Sequence, residues 1–136
     1  MSSNKKIGNH FEAELCEILF GLGFWAHNMA QNQAGQPADV IAVRNQLAYL
    51  IDCKVCSTTK GFDLRRVEDN QESAMELWRD RGNGEGWFAI KLPDGRIYLV
   101  AHCTIQAMRI GHSYMSETDI IERGYTPEEW EELCAS

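Results

Sequence analysis

The sequence predicts an α/β fold, a mixed β-sheet flanked by helices, and three features carry that prediction. An amphipathic helical pattern opens the chain. Two apolar runs then follow closely, separated by three residues. A second helical segment leads to another pair of apolar runs, giving the order α-β-β-β-α-β-β-α.

Each element has its own signal. Ile7, Phe11, Leu15, Ile18 and Leu22 recur at three- and four-residue spacing, so residues 7 to 22 predict a helix with one apolar stripe. Gly21 and Gly23 end it. Residues 24 to 30 predict a short strand and residues 31 to 37 a polar loop. VIAV (40 to 43) and LAYLIDCKV (47 to 55) predict a hairpin joined by Arg44, Asn45 and Gln46. After a loop over residues 57 to 63, residues 64 to 81 predict a helix, with Leu64, Val67, Ala74, Met75 and Trp78 on one face. GNGEG breaks the chain, and residues 87 to 92 and 96 to 101 predict a second hairpin across Pro93, Asp94 and Gly95. Short helices finish the chain. Thr126 and Glu129 form a capping box there, with Pro127 at the first helical position.

A chain of 136 residues makes one domain with one core. We expect a core of about residues 5 to 101, followed by a helical acidic extension over residues 102 to 136. With 44% apolar and 24% charged residues the chain is an ordinary globular one, which excludes disordered and fibrous classes. No apolar run approaches the roughly 20 residues of a membrane span. The start, MSSNKKIGNHF, lacks the apolar segment of a signal peptide, so a cytoplasmic location is expected. Five cysteines form no disulfide framework and read as reduced thiols.

The net charge of −7 looks wrong for a nucleic-acid protein, but it is unevenly spread. Residues 117 to 136 hold Glu117, Asp119, Glu122, Glu128, Glu129, Glu131 and Glu132 against Arg123 alone. The remaining body has 12 basic and 13 acidic groups, so it is nearly neutral and can bind phosphates through local basic patches.

The strand LIDCKV poses the functional question. Asp52 and Lys54 point to the same face, with Leu50, while Cys53 and Val55 point to the other. A buried ion pair, an exposed edge strand, or a site where a metal and an anion offset the charge would each explain them. Asp39 shifts the balance. In a hairpin it falls opposite residues 51 to 53, so two carboxylates and an ammonium converge on one end of the sheet. Paired oxygen ligands of this kind suit Mg²⁺, and a neighbouring lysine can orient water or offset phosphoryl charge.

Pro37-Ala38-Asp39, twelve residues, then Asp52-Cys53-Lys54 resembles the signature of the PD-(D/E)XK nucleases, with Ala38 inserted in the usual Pro-Asp pair. KKIGNHFEAEL resembles the Gly-x-x-x-Glu opening helix of Holliday junction resolvases from archaea and from Gram-positive bacteria and their phages. The resemblance covers roughly residues 5 to 100. It implies a restriction-endonuclease-like sheet and a Mg²⁺-dependent endodeoxyribonuclease, with Mn²⁺ able to substitute. It also implies action on branched or duplex DNA, as a homodimer, in a bacterial or phage-infected cell.

The resemblance further implies roles. Asp39 and Asp52 would be metal ligands with the backbone carbonyl of Cys53, and Lys54 would stand beside the attacking water. Glu12 would be an outer ligand or water-orienting acid, and Gln71 would lie near the site. From the residues alone, other readings stay open. Asp39 can cap a turn, Asp52 can be salt-bridged by Lys54, Gln71 can be a core amide, and Glu14 competes with Glu12 for the inward face of the helix. Lys5, Lys6, Lys60, Arg65 and Arg66 flank the motifs as candidate DNA contacts. Cys53-x-x-Cys56 with His102, Cys103 or His112 is a weaker candidate for zinc, since no second close ligand pair exists. Two rivals to a junction resolvase remain. One is a related nuclease with another DNA target, such as a nickase or a repair or restriction enzyme. The other is a non-catalytic binding member of the fold.

Overall fold

The computed structural model describes residues 3 to 29 and 38 to 135, with side chains from residue 7 onward. The side chains of Lys5 and Lys6 and the loop over residues 31 to 37 lie outside the described residues. Helix α1 spans Ser3–Gly21, with Phe11 and Leu15 of the expected stripe buried against the sheet together with Leu19. Ile18 and Leu22 are half-buried and Ile7 is exposed, because the sheet is met by the face centred on Phe11, Leu15 and Leu19. Strands β1 (Trp25–Asn28), β2 (Val40–Arg44) and β3 (Leu47–Val55) form an antiparallel meander.

The β2–β3 turn is tighter than the sequence suggests. Arg44 pairs with Leu47, so the link is only Asn45 and Gln46, at φ +53° and +71°. Two positive φ values match the twist of the flanking strands, which is why this turn holds the register. That register sets Val40 opposite Ile51 and places Asp39 at the open end of the pair.

The connection after β3 departs from the expected helix over residues 64 to 81. The chain first makes β4 (Phe62–Asp63) and a 3₁₀ turn (Leu64–Arg66). Helix α2 runs only over Asp69–Trp78 and continues as a π-helical turn through Asn83, where Gly82 has φ +87°. The physical reason is the helix start: the Glu68 backbone N–H donates to Gln71 Oε1 at 3.1 Å, capping the helix there. Leu64 and Val67 are buried, but from the turn rather than from a helical stripe.

This crossover lets β5 (Trp87–Lys91) pair with β3 in parallel, and β6 (Ile97–Ala101) returns antiparallel. The five-stranded order is β1-β2-β3-β5-β6. Two apolar clusters cover its faces. One joins Leu50, Phe88, Ile90 and Val100 to α2 and to α3 (His102–Arg109), and the other joins Val40, Ile51, Ala89 and Leu99 to α1. Strand β7 (Tyr114–Met115) pairs with β4, so the 57-to-63 loop ends in a strand. Gly61, at φ +106°, permits this: a Cβ there would collide with the Met115 carbonyl.

Helix α4 (Glu117–Arg123) leads to a bridge in which Leu99 N donates to Tyr125 O at 2.7 Å and Tyr125 N to Leu99 O at 2.9 Å, covering the β6 edge. The acidic segment then docks as α5 (Pro127–Ala135). Trp130 is fully buried, stacked on Phe24 at 5.0 Å and edge-on to Tyr49, and Glu131 pairs with Arg44. No helix among the described residues is long and apolar enough to cross a membrane.

Candidate active site

The site lies where β2 begins and β3 continues past it. Asp39 N donates to Ile51 O at 3.1 Å, and the Asp39 carboxylate folds over to accept from Cys53 N at 2.8 Å. A strand residue's N–H and C=O point to the same side, so the Cys53 carbonyl also faces this end, beyond the first residue of β2.

Asp52 and Lys54 project from β3 toward α2 and are 1% and 8% exposed, buried enough that every polar atom needs a partner. Gln71 supplies them. Its Nε2 donates to Asp52 Oδ1 at 3.1 Å, and its Oε1 accepts from Lys54 Nζ at 3.2 Å. Lys54 also donates to the Arg66 carbonyl at 3.1 Å. Its ammonium stands 3.2 Å from Asp52 Oδ2 but off the hydrogen-bonding direction, so that oxygen receives no hydrogen bond when the acids are ionised.

The electrostatics follow from this geometry. Burial pushes the Asp52 carboxyl upward, the Asp39 charge adds to it, and Lys54 opposes both. Asp39 is near enough to hydrogen-bond Asp52 once one of the two holds a proton. Glu12 lies on the α1 side. Burial and the Asp39 charge push its carboxyl to about 7, against a hydrogen bond with Asn28. Glu14, its rival on the helix, is held by Lys91 Nζ at 2.6 Å, away from this cluster.

A buried carboxylate oxygen without a donor, beside a second carboxylate and a backbone carbonyl, is a donor set that fits a hard divalent cation. Among the described residues no three side chains of His, Cys, Asp and Glu gather at ligand spacing. Glu12 acts on Asp39 through charge and does not close a three-acid cage. Cys53 packs with the α1-side cluster and Cys56 with the α2-side cluster, so the two thiols lie on opposite faces of the sheet.

The candidate DNA contacts are placed unevenly. Arg66 Nη1 donates to Val55 O at 2.7 Å, and its guanidinium covers the Phe62 ring at the mouth of the site. Arg65 is engaged by Asp63 through two hydrogen bonds, and Lys60 lies 5.9 Å from the Tyr114 ring. Sequence reasoning missed Asn28, the Arg66 carbonyl and the Glu68 N–H. Only the last left a signal, the Glu-x-x-Gln of a helix start. It also missed Glu72, which neighbours Gln71 but faces α3. Glu72 accepts from Arg109 Nη1 at 2.9 Å and Gln106 Nε2 at 3.4 Å, with the buried His102 Nε2 3.2 Å away.

A mixed sheet with an acid opening one strand and Asp-x-Lys on its neighbour defines a chain of the restriction-endonuclease-like class. The family model described as archaeal Holliday junction resolvase (Hjc) matches residues 3 to 125, and the chain belongs to that family. Among solved structures it is similar to that of Archaeoglobus fulgidus Hjc, a Holliday junction resolvase from an archaeal hyperthermophile. The TM-score is 0.71 at 18% identity, covering 91% of this chain and 99% of that one. A structure named SSO0001 overlays at a TM-score of 0.47, 18% identical, over 95% of this chain and 66% of that one, too low to bear on the fold. No curated protein matches the chain.

Proposed function

We propose that this protein is a divalent-cation-dependent endodeoxyribonuclease that resolves four-way DNA junctions by hydrolysing phosphodiesters. The supporting observation is the Asp39–Asp52–Lys54–Gln71 constellation at the open end of the sheet, in a chain of a resolvase family. Asp39, Asp52 and the Cys53 carbonyl would hold the cation, Mg²⁺ or Mn²⁺, which would supply Lewis-acid stabilisation of charge on the phosphoryl oxygens.

The chain's own groups do the rest. Gln71 fixes Asp52 Oδ1, which leaves the buried Oδ2 as the oxygen to take the cation. Lys54 is held by the Arg66 carbonyl and Gln71 Oε1. It has a third N–H to turn toward a water or a phosphate oxygen once Asp52 is engaged elsewhere. Glu12, with its carboxyl raised to about 7, is suited to exchange a proton with that water near neutral pH.

Two symmetric nicks need two sites related by a two-fold axis, so the working form is a homodimer. Its mass in solution should be twice the 15.5 kDa of the chain.

The test is cleavage of a labelled synthetic four-way junction with Mg²⁺ or Mn²⁺, beside a linear duplex of the same sequence. Asp52→Asn and Lys54→Ala should each lose roughly 100-fold or more of the cleavage rate while still binding the junction. Variants that cut like wild type refute the site. Preference for linear duplex refutes the junction as substrate.

A further inference from the structure

Gly8 is out of place by every local rule. It lies inside α1, where glycine is the least favourable residue after proline, and it neither caps the helix nor has a positive φ. Packing does not require it: among the described residues, a Cβ at Gly8 would meet nothing within 4 Å. A helix glycine with empty space above it leaves room for something that is not part of the fold.

What surrounds that space identifies the occupant. Gly8 lines a cleft of about 310 Å³ with Ile7, Cys53, Val55, Ser57 and Arg66. Two of its lining residues also touch the candidate active site through their backbone: the Arg66 carbonyl accepts from Lys54 Nζ at 3.1 Å, and the Cys53 N–H donates to Asp39 at 2.8 Å. Glu12 lies one helical turn beyond Gly8. Arg66 is exposed on the cleft wall and spends one N–H on Val55 O, leaving guanidinium donors for an anion. In the same lining Gly8 offers helix backbone without a side chain, next to Ile7.

We propose that Gly8 is a close-approach position for the substrate. The sugar-phosphate strand leaving the cleaved phosphate lies in this cleft, with its deoxyribose against the bare α1 backbone at Gly8 and its next phosphate on Arg66. This inference rests on the nuclease reading above and extends it to a residue that carries no chemistry of its own.

The position separates stability from function. Gly8→Ala and Gly8→Leu both relieve the helix of its poorest residue, so both should melt a few degrees above wild type. Both fill the cleft, and leucine fills it more. Gly8→Leu should bind a four-way junction at least tenfold more weakly by fluorescence anisotropy in Ca²⁺, and cut it at least 100-fold more slowly in Mg²⁺. Gly8→Ala should fall between it and wild type. Asn9→Ala, an exposed neighbour outside the cleft, serves as the control and should bind and cut like wild type. A Gly8→Leu variant that is folded by its melt and binds the junction like wild type overturns the inference. So does equal loss in Asn9→Ala. Failure of the wild type to cut any DNA overturns the nuclease reading instead, and the anisotropy series then still decides whether Gly8 faces a bound strand.

Discussion

Asp52→Asn should change how stability depends on pH, and the sign is opposite to that of most carboxylates. In the absence of metal, burial lifts Asp52 to about 8 and Glu12 from its ordinary 4.5 to about 7. A group whose folded value is raised contributes its full stability below the unfolded value and loses it as pH climbs through the folded one. The window here runs from about pH 4 to about pH 8. Glu12 is half-buried and screened by solvent, so its share is about 1 kcal/mol. Asp52 is fully buried and imperfectly paired, so its share is roughly 3 kcal/mol. Together they should lower the melting temperature of wild type in EDTA by about 12 °C between pH 5 and pH 8.5, at roughly 3 °C per kcal/mol for a chain of this size.

Asp52→Asn removes the larger share, so the variant's melting temperature should fall by only about 3 °C over the same range. The absolute change at one pH is a poorer guide, because the new amide nitrogen must face either Lys54 or Gln71, and both are donors there. If Mg²⁺ binds at Asp52 as proposed, it takes the place of the proton, and at a concentration of 100 Kd it should restore about 2.7 kcal/mol to wild type at pH 8.5 and much less to the variant. Thermal melts by circular dichroism at five pH values, with EDTA or Mg²⁺, read all of this. A wild-type curve in EDTA that is flat or rises with pH would refute the buried-carboxylate reasoning.

Other substitutions probe the neighbouring parts. Gln71→Ala removes a donor from Asp52 and an acceptor from Lys54, so single-turnover cleavage should fall roughly 10- to 100-fold with junction affinity unchanged. Its denaturant midpoint should show a loss of about 1–2 kcal/mol. Glu72→Ala strips the acceptor from Arg109 and Gln106 and leaves the buried His102 facing a void, costing about 2 kcal/mol in urea unfolding. Trp130→Ala opens a cavity between α5 and the sheet and should cost about 3–5 kcal/mol by the same measurement.

Much of this structure is written in local patterns. The existence of α1, the two hairpins and the return of Asp39 to the level of residues 51 to 53 follow from spacing alone, because helix period, strand register and face alternation are short-range geometry. The face α1 buries, by contrast, is turned toward Leu19 and leaves Ile7 exposed. What the sequence hides depends on partners distant in the chain. Glu12 and Glu14 flank the same stripe, and only Lys91, on a strand 77 residues away from Glu14, separates their roles. The β4–β7 pair is two residues long on each side and has no periodicity to detect. The charge of the acidic tail leaves its place in the fold open, and it is Trp130 that anchors it under the sheet beside Phe24 and Tyr49. The helix expected over residues 64 to 81 failed for a related reason. Its apolar spacing was real, but capping chemistry at Glu68 and Gln71 set the start.

Gln71 therefore has two attachments, one to the first turn of α2 through the Glu68 N–H and one to the acid and base of β3. A side chain shared in this way makes secondary structure and chemistry a single cooperative unit. Fraying of that turn, an opening far smaller than global unfolding, would release Lys54 and Asp52 together and silence the site while the sheet stays intact. Activity should then fade on warming before the protein melts, and anything that stiffens the first turn of α2 should raise the temperature at which it does.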